Sequence, residues 1–316
     1  MRLTRATRGR CALIWWPTTS LRRFCGRSAV QPRAVVCGGG YSYLHETPAQ
    51  GERTDWVSAG KGNQWIERNQ IPGEIQEAGP RVSYQADSTS HVDWFGPIER
   101  PRLNNQSGSQ QRIDNEMYAE VLGWGDSGGD HVGGTLDNPL VRNTVSLYQG
   151  DTLLAQRFTD FVGVEGLSPE RLPYRLVSEN SRGEWTNPYS TSTRTEWNFT
   201  SAAGEPGVAT VLPLIQLDYK VDTDTAGKAH RNAELVVTPS HIPGGPSSKA
   251  IKAVSLDVSY DDGTTWRKAT LTHRGDGWAT MLHAPARAAY ATLRASAHDD
   301  RGNSVTQSIT RAFGLK

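Results

Sequence analysis

Three places in this 316-residue chain carry side chains whose types and spacing could do chemistry. The sharpest is Gly125-Asp126-Ser127-Gly128-Gly129. A serine hydroxyl attacks a carbonyl only when a histidine takes its proton and a carboxylate orients that histidine. His91, in Thr-Ser-His-Val-Asp, and His131 are the histidines nearest in sequence. The second place is Asp222-Thr223-Asp224-Thr225-Ala226-Gly227, which fills the first, third and sixth positions of a calcium loop. Ala226 and Ala233 stand at its fifth and twelfth positions, so two oxygen ligands are missing, and a polar hairpin turn is the expected reading. The third is the set of ten tryptophans. In a planar, solvent-exposed row on one sheet face they would stack on sugar rings, although sandwich cores also bury tryptophan.

The pentapeptide at 125–129 copies the one around the nucleophile of trypsin-like proteases. There the histidine precedes the serine inside Ala-Ala-His-Cys, and the chain starts Ile-Val-Gly-Gly. Neither context occurs here, and residues 47–122 would have to supply everything ahead of the nucleophile. The expected structure is therefore a glycine-rich loop after a strand, with His131 bonding locally. A hydrolase using Ser127 stays as an alternative. His230, His241, His273, His283 and His298 show no metal-ligand spacing. Asn105-Gln106-Ser107 and Asn198-Phe199-Thr200 are glycan-acceptor sequences that matter only in a eukaryotic secretory route. No residue is assigned a catalytic, cofactor-binding or metal-binding role, and no cofactor is expected.

The elements that would position these side chains are strands. In residues 253–271, Val254, Leu256, Val258 and Tyr260 alternate with Ser255, Asp257 and Ser259, a period of two. Asp261-Asp262-Gly263 breaks the run with residues that accept turn geometry, and a second strand restarts after Trp266. Ser259-x-Asp261-x-Gly263-x-x-Trp266 also resembles the Asp-box of sialidase-type propellers. That likeness implies a turn tied by the Ser and Asp side chains with the Trp packed beneath. A propeller would repeat it every few tens of residues, so a hairpin in a β-sandwich is expected.

Composition agrees with an all-β protein. Gly, Ser, Thr and Trp are abundant, and no long Leu/Ala/Glu/Lys tract suggests a helix. Residues 1–45 hold eight arginines and no acid, so subtracting them from the formal net charge of +1 leaves −7 on the remainder. A mildly acidic, tryptophan-rich body argues against nucleic acid as a partner. Cys11, Cys25 and Cys37 all lie in that basic segment, an odd number with neither a disulfide framework nor a zinc pattern. No apolar run reaches membrane-spanning length. The apolar stretch 12–16 is too short for a signal peptide, and Arg22-Arg23 lacks the apolar region a twin-arginine signal needs. Residues 1–46 are expected to be disordered. A misplaced start codon, or upstream sequence read in another frame, would produce such a segment.

From residue 47 short strands alternate with turn residues. Alternation at 81–86 and runs at 116–124, 143–148, 151–158, 174–178 and 194–200 predict a first sandwich over 47–203, with 101–111 as a polar loop. Residues 204–210, within a Gly- and Pro-containing stretch, read as a linker. Strands at 212–221, 234–238, 254–260, 278–283, 290–297 and 305–313 predict an immunoglobulin- or fibronectin III-like sandwich over 211–316.

Two blocks together resemble the C-terminal accessory region of large secreted bacterial subtilisin-like (S8) serine peptidases. The first starts at Thr54, TDWVSAGKGNQW followed by GEI, with HVDWFGPIERPRL from His91 onward. The second comprises LPYRLV, PYSTSTRTEWNFTS, LPLIQLDYKVDTDTAGKA, ELVVTPSHIPG, VSLDVSYDDGTTW and the closing DDRGN and RAFGL. The likeness implies two non-catalytic β-sandwich modules that follow a protease domain outside the cell. The family's Asp-Ser/Thr-Gly, His-Gly-Thr and Gly-Thr-Ser-Met triad motifs are absent, so no catalytic residue carries over. The expectation is a truncated gene product that keeps the tail and lacks the enzyme. Its partners would be a protease domain in a full-length parent, or a protein or glycan surface. The rival is a secreted carbohydrate- or surface-binding protein in its own right.

Overall fold

The computed structural model of the protein describes residues 2–7, 51–59, 63–71, 75–103, 109–128, 130–135, 140–183, 188–245 and 250–316. Every regular element among them is a strand, so the all-β expectation holds. The chain clusters into two units, 1–95 with 128–131, and 96–127 with 132–316.

The first unit carries β1 (Arg2–Thr7), β2 (Gly51–Trp56), β3 (Arg68–Ile71), β4 (Ile75–Ala78) and β5 (Thr89–Trp94). β1 pairs antiparallel with β2 and parallel with β5. Of the segment 1–46, expected to be disordered, the structure describes Arg2–Thr7, which lie in this sheet. The rest of that segment, with its three cysteines, lies outside the described residues. β3 and β4 form a hairpin. The strand expected at 81–86 is only a bridge, Val82 to Trp65. Pro80 offers no N–H to extend it, and Asp87, at φ 55°, turns the chain away. Trp65 and Val57 are buried, with Tyr84 packed against them.

The second unit begins with β6 (Arg100–Leu103), β7 (Gln110–Ile113), β8 (Glu116–Gly125), β9 (Val132–Thr135), β10 (Arg142–Gln149), β11 (Thr152–Arg157), β12 (Phe161–Val164), β13 (Leu172–Ser181) and β14 (Ser192–Ser201). β7, β8 and β12 make one sheet, while β11-β10-β13-β14 makes another. Met117, Ala119 and Val121 on β8 and Val162 on β12 meet Val145, Leu147, Leu176 and Trp197 in one core. In strand letters this is A-B-E against C′-C-F-G, the arrangement of a fibronectin III module. The stretch expected as a loop at 101–111 supplies most of β6 and part of β7. Polarity hid them, because Arg100, Arg102 and Arg112 are buried through ion pairs and carbonyl contacts.

A second sandwich follows, built of β15 (Thr210–Val211), β16 (Ile215–Val221), β17 (Lys228–Ala229), β18 (Glu234–His241), β19 (Ile251–Ser259), β20 (Arg267–Lys268), β21 (Thr272–Arg274), β22 (Gly277–Met281), β23 (Tyr290–Asp299) and β24 (Ser304–Leu315). Its sheets run β16-β18-β22-β21 and β20-β19-β23-β24, with β17 parallel to β24. That is A-B-E-D against C′-C-F-G with an A′ strand on G, the immunoglobulin-like order expected for this half. Alternation places Val305 and Ile309 inward on β24. At Arg311, with φ 53°, the strand breaks its register, and Ala312 and Phe313 are then both buried.

The two sandwiches are not separate bodies on a linker. β14, the G strand of the first, pairs antiparallel with β24, the G strand of the second, from Ser192↔Thr310 to Asn198↔Ser304. One nine-stranded sheet results, and each G edge, otherwise a row of unpaired N–H and C=O groups, is closed by the other. The intervening stretch is a loop, as its glycines and proline suggest, but a fastened one. Ala203 N–H donates to the Pro169 carbonyl, Gly207 N–H to the Asp114 carboxylate, and β15 pairs with β7. The division at 204–210 therefore marks a crossing between two halves of one unit. The core is continuous from Ile98 to Leu315.

Candidate functional site

The Gly125–Ser127 segment ends β8 and is anchored by hydrogen bonds inside the second unit. The Asp126 carboxylate accepts the Gly96 N–H at 3.1 Å. Its main-chain carbonyl, and that of Gly125, accept from the Arg100 guanidinium. Asp126 is buried, while Ser127 is exposed and its hydroxyl bonds to no described residue. Gly129 lies outside the described residues. In the first unit, the His131 ring is buried and stacked on Trp94 with centroids 3.9 Å apart and planes 5° from parallel. His91 lies on β5 and is exposed. The aspartate of this segment and the carbonyls of Gly125 and Asp126 are thus bound up in structure.

Arg100 is the hub of the second unit. It is fully buried and reaches from the first sandwich into the second. Its guanidinium donates to the carbonyls of Ile98, Gly125, Asp126 and Leu217 and to the Asp218 carboxylate. Arg102 meets the same carboxylate at 3.0 Å. Trp197 Nε1 donates to the Ile215 carbonyl, Leu103 N–H to Gln216, and Gln307 to the Thr195 hydroxyl. These bonds stitch the halves alongside the shared sheet. A second buried pair, Glu99 with Arg182, lies beside Trp124, whose ring is 4.8 Å from the Arg182 guanidinium carbon.

The hairpin at 253–271 forms as its alternation predicts, with Asp257↔Lys268 and Val258↔Arg267 paired. Ser259 Oγ donates to Asp261 at 2.7 Å and accepts the N–H groups of Asp261 and Gly263. Asp261 accepts the Thr265 N–H at 2.8 Å and its hydroxyl at 2.6 Å. These bonds, that from Ser259 foremost, hold the Asp261 carboxyl down to about 2. Gly263 takes φ 91°, and a Cβ there would come within 3.3 Å of the Trp266 ring, so the indole packs directly against the turn. The geometry implied by the Asp-box likeness is present, and both signature side chains are committed to the turn.

The loop at 222–227 is likewise a capped turn. One oxygen of Asp224 accepts the N–H groups of Ala226 and Lys228, and the other meets Lys316 Nζ at 2.9 Å. The Lys316 ammonium leads the causes that hold this carboxyl at about 2. Of the described tryptophans, Trp65, Trp94, Trp124 and Trp197 are buried, Trp266 and Trp278 half-buried, and Trp56 exposed. They make no planar exposed row among the described residues. Asn198 is half-buried on β14 and donates to Glu196; Asn105 lies outside the described residues. One acid does move upward. Burial raises the Asp160 carboxyl to about 6, against the Asn143 amide that donates to it, with Glu120 adding to the rise.

Sequence reasoning singled out the Asp-box signature but passed over Arg267 and Arg287, which line a pocket of about 240 Å³ beside that turn. Arg287 is distant in sequence and belongs to no motif, so only the fold brings the two together.

No protein-family model matches the chain, and no curated protein matches it. Among solved structures, similarity is found to the fibronectin(III)-like modules of Clostridium thermocellum CbhA, at 14% identity over 71% of this chain and 91% of that one, with a TM-score of 0.21. The titin domains I67–I69, in an E-to-A mutated variant, match at 12% identity over 87% of this chain and 81% of that one, with a TM-score of 0.19. Superpositions this loose carry no weight; the strand order itself assigns the sandwiches.

Proposed function

We propose that this chain is a non-catalytic accessory region of an extracellular subtilisin-like serine protease, where it steers, stabilises or anchors the enzyme. One observation carries the reading. The sequence blocks that resemble the accessory region of those peptidases fall largely on paired, core-forming strands. LPYRLV lies in β13, STRTEWNFTS is β14, IQLDYKV is β16 and ELVVTPSH is β18. VSLDVS ends β19, and the closing RAFGL ends β24. A likeness concentrated on a scaffold suits a module selected to hold a shape. The residues that could have done chemistry are drawn into that scaffold too. Asp126, Asp224 and Asp261 each spend their carboxylates on turn N–H groups or side chains.

The test against the hydrolase alternative is covalent. Purified chain treated with a fluorophosphonate probe is expected to stay unlabelled, and Ser127→Ala to change stability by no more than about 1 kcal/mol, the scale of one hydrogen bond. Labelling that disappears in Ser127→Ala would establish Ser127 as a nucleophile and overturn the reading.

A further inference from the structure

The arginines of the second sandwich are mostly spoken for. Arg294 pairs with Asp257 at 3.0 Å and lies over the Trp266 ring. Arg311 pairs with Asp262 at 2.9 Å and lies over Tyr290. Arg274 pairs with Glu234, and Arg231 donates to the carbonyls of Pro285 and Ala288. Arg267 and Arg287 are different. Neither has an ion-pair partner among the described residues, and both line the same pocket.

That pocket holds about 240 Å³ and is lined further by Val258, Pro285, Ala288, Tyr260, Thr265 and Asp261. Val258 and Ala288 are buried, so they present an apolar floor, and Tyr260 is a half-buried aromatic wall. Two stiff turns frame it. One is the Asp-box turn with its six internal hydrogen bonds. The other, at 285–288, is closed by Ala288 N–H to the Pro285 carbonyl and clamped from outside by Arg231. A site held by rigid turns loses little entropy on binding.

We infer that this pocket binds the terminal hexuronate of an acidic glycan, its carboxylate between Arg267 and Arg287 and one C–H face of the sugar against Tyr260 and the apolar floor. Size, charge and the kind of donor on offer support this. Drug-sized ligands occupy roughly 300–1,000 Å³, so the pocket suits a single ring. Two guanidiniums without partners outweigh the one lining carboxylate, Asp261, whose oxygens are occupied by Thr265 and Ser259. Capture of a peptide carboxylate would use a nest of free backbone N–H groups. Here the turn N–H groups of Asp261, Gly263, Thr264 and Thr265 are already bonded inside the turn. An anion therefore meets side-chain guanidinium, which suits a planar carboxylate. The inference stands apart from the protease reading, since it needs only the second sandwich within the whole chain.

The experiment is an NMR titration of the full-length chain with methyl β-glucuronoside, methyl β-glucoside, free glucuronate, acetate and inorganic phosphate. The inference predicts saturable shifts at residues 258–267 and 285–288 with the glucuronoside and with free glucuronate. It predicts at least tenfold weaker binding of the neutral glucoside, acetate and phosphate. Arg267→Gln and Arg287→Gln should each weaken glucuronoside binding at least tenfold, while Lys252→Gln, exposed elsewhere on the same sandwich, should leave it unchanged. Matching amide spectra for all variants would show that they fold. Equal affinity for glucoside and glucuronoside, or for acetate or phosphate and glucuronoside, would overturn the inference. So would free glucuronate binding where the glycoside does not, which would point to a small free acid instead of a glycan.

Discussion

Removing Asp218 should weaken the whole second unit, because its carboxylate neutralises a guanidinium that has no access to water. Arg100 is fully buried, and about a third of the Asp218 side chain reaches solvent. Breaking a buried pair by deleting one partner typically costs about 3–5 kcal/mol, since the remaining charge stays uncompensated. Two features reduce that figure. Asp218 is partly hydrated, and Arg100 keeps four carbonyl acceptors, on Ile98, Gly125, Asp126 and Leu217. Loss of the Arg102 contact to the same carboxylate works the other way. Asp218→Ala is therefore expected to cost about 2–3 kcal/mol, which for a unit of this size lowers Tm by roughly 4–12 °C. Arg100 and Asp218 belong to different sandwiches, so Trp fluorescence and near-ultraviolet circular dichroism should report one shifted transition in denaturant. A loss below about 0.5 kcal/mol would refute the claim that this pair holds the halves together. Two transitions, with only one of them moved, would refute the claim that the halves unfold as one body.

Limited proteolysis should nick the exposed loop at 204–208, but the fragments should elute together in size-exclusion chromatography without denaturant, because β14 stays paired to β24; separate elution would contradict the shared sheet. Asp160→Asn should stabilise the protein by about 1–2 kcal/mol at pH 7.5 and by little at pH 4. A carboxyl raised in the fold from its ordinary 3.8 to about 6 favours the native state fully only below pH 4, and that contribution is lost as pH rises through 6. Equal effects at both pH values would remove Asp160 from the account. Ser259→Ala should cost about 1–2 kcal/mol, since its buried hydroxyl serves two N–H groups and one carboxylate, and thermal melts check it. Asp224 and Asp261, held near 2, add stability that is present above pH 4 and fades as pH falls toward 2. Replacing both by Asn should flatten that acid limb in a pH series of melts.

Much of this fold is legible because strands announce themselves locally. The alternation of Val254, Leu256 and Val258, and the Asp261-Asp262-Gly263 turn that ends it, follow from period and turn chemistry alone. What escapes is long-range. Nothing local tells β14 that its neighbour is β24, more than a hundred residues on, so a glycine-rich loop looks like a free linker. Arg102 reads as a loop residue because polarity stands for exposure until an ion pair makes burial possible. The candidate chemistry divides the same way. Missing ligands at Ala226 and Ala233 are visible in sequence, and Asp224 proves to cap its turn. The convergence of Arg267 and Arg287 exists only in three dimensions.

The accessory role is tested most directly by adding the chain in trans to the isolated catalytic domain of a peptidase whose tail it resembles. Isothermal titration calorimetry would measure binding, and the same mixture at elevated temperature would give the half-life of proteolytic activity. Saturable binding and a half-life extended severalfold are expected, with both effects retained in Ser127→Ala. No heat of binding and an unchanged half-life would contradict it.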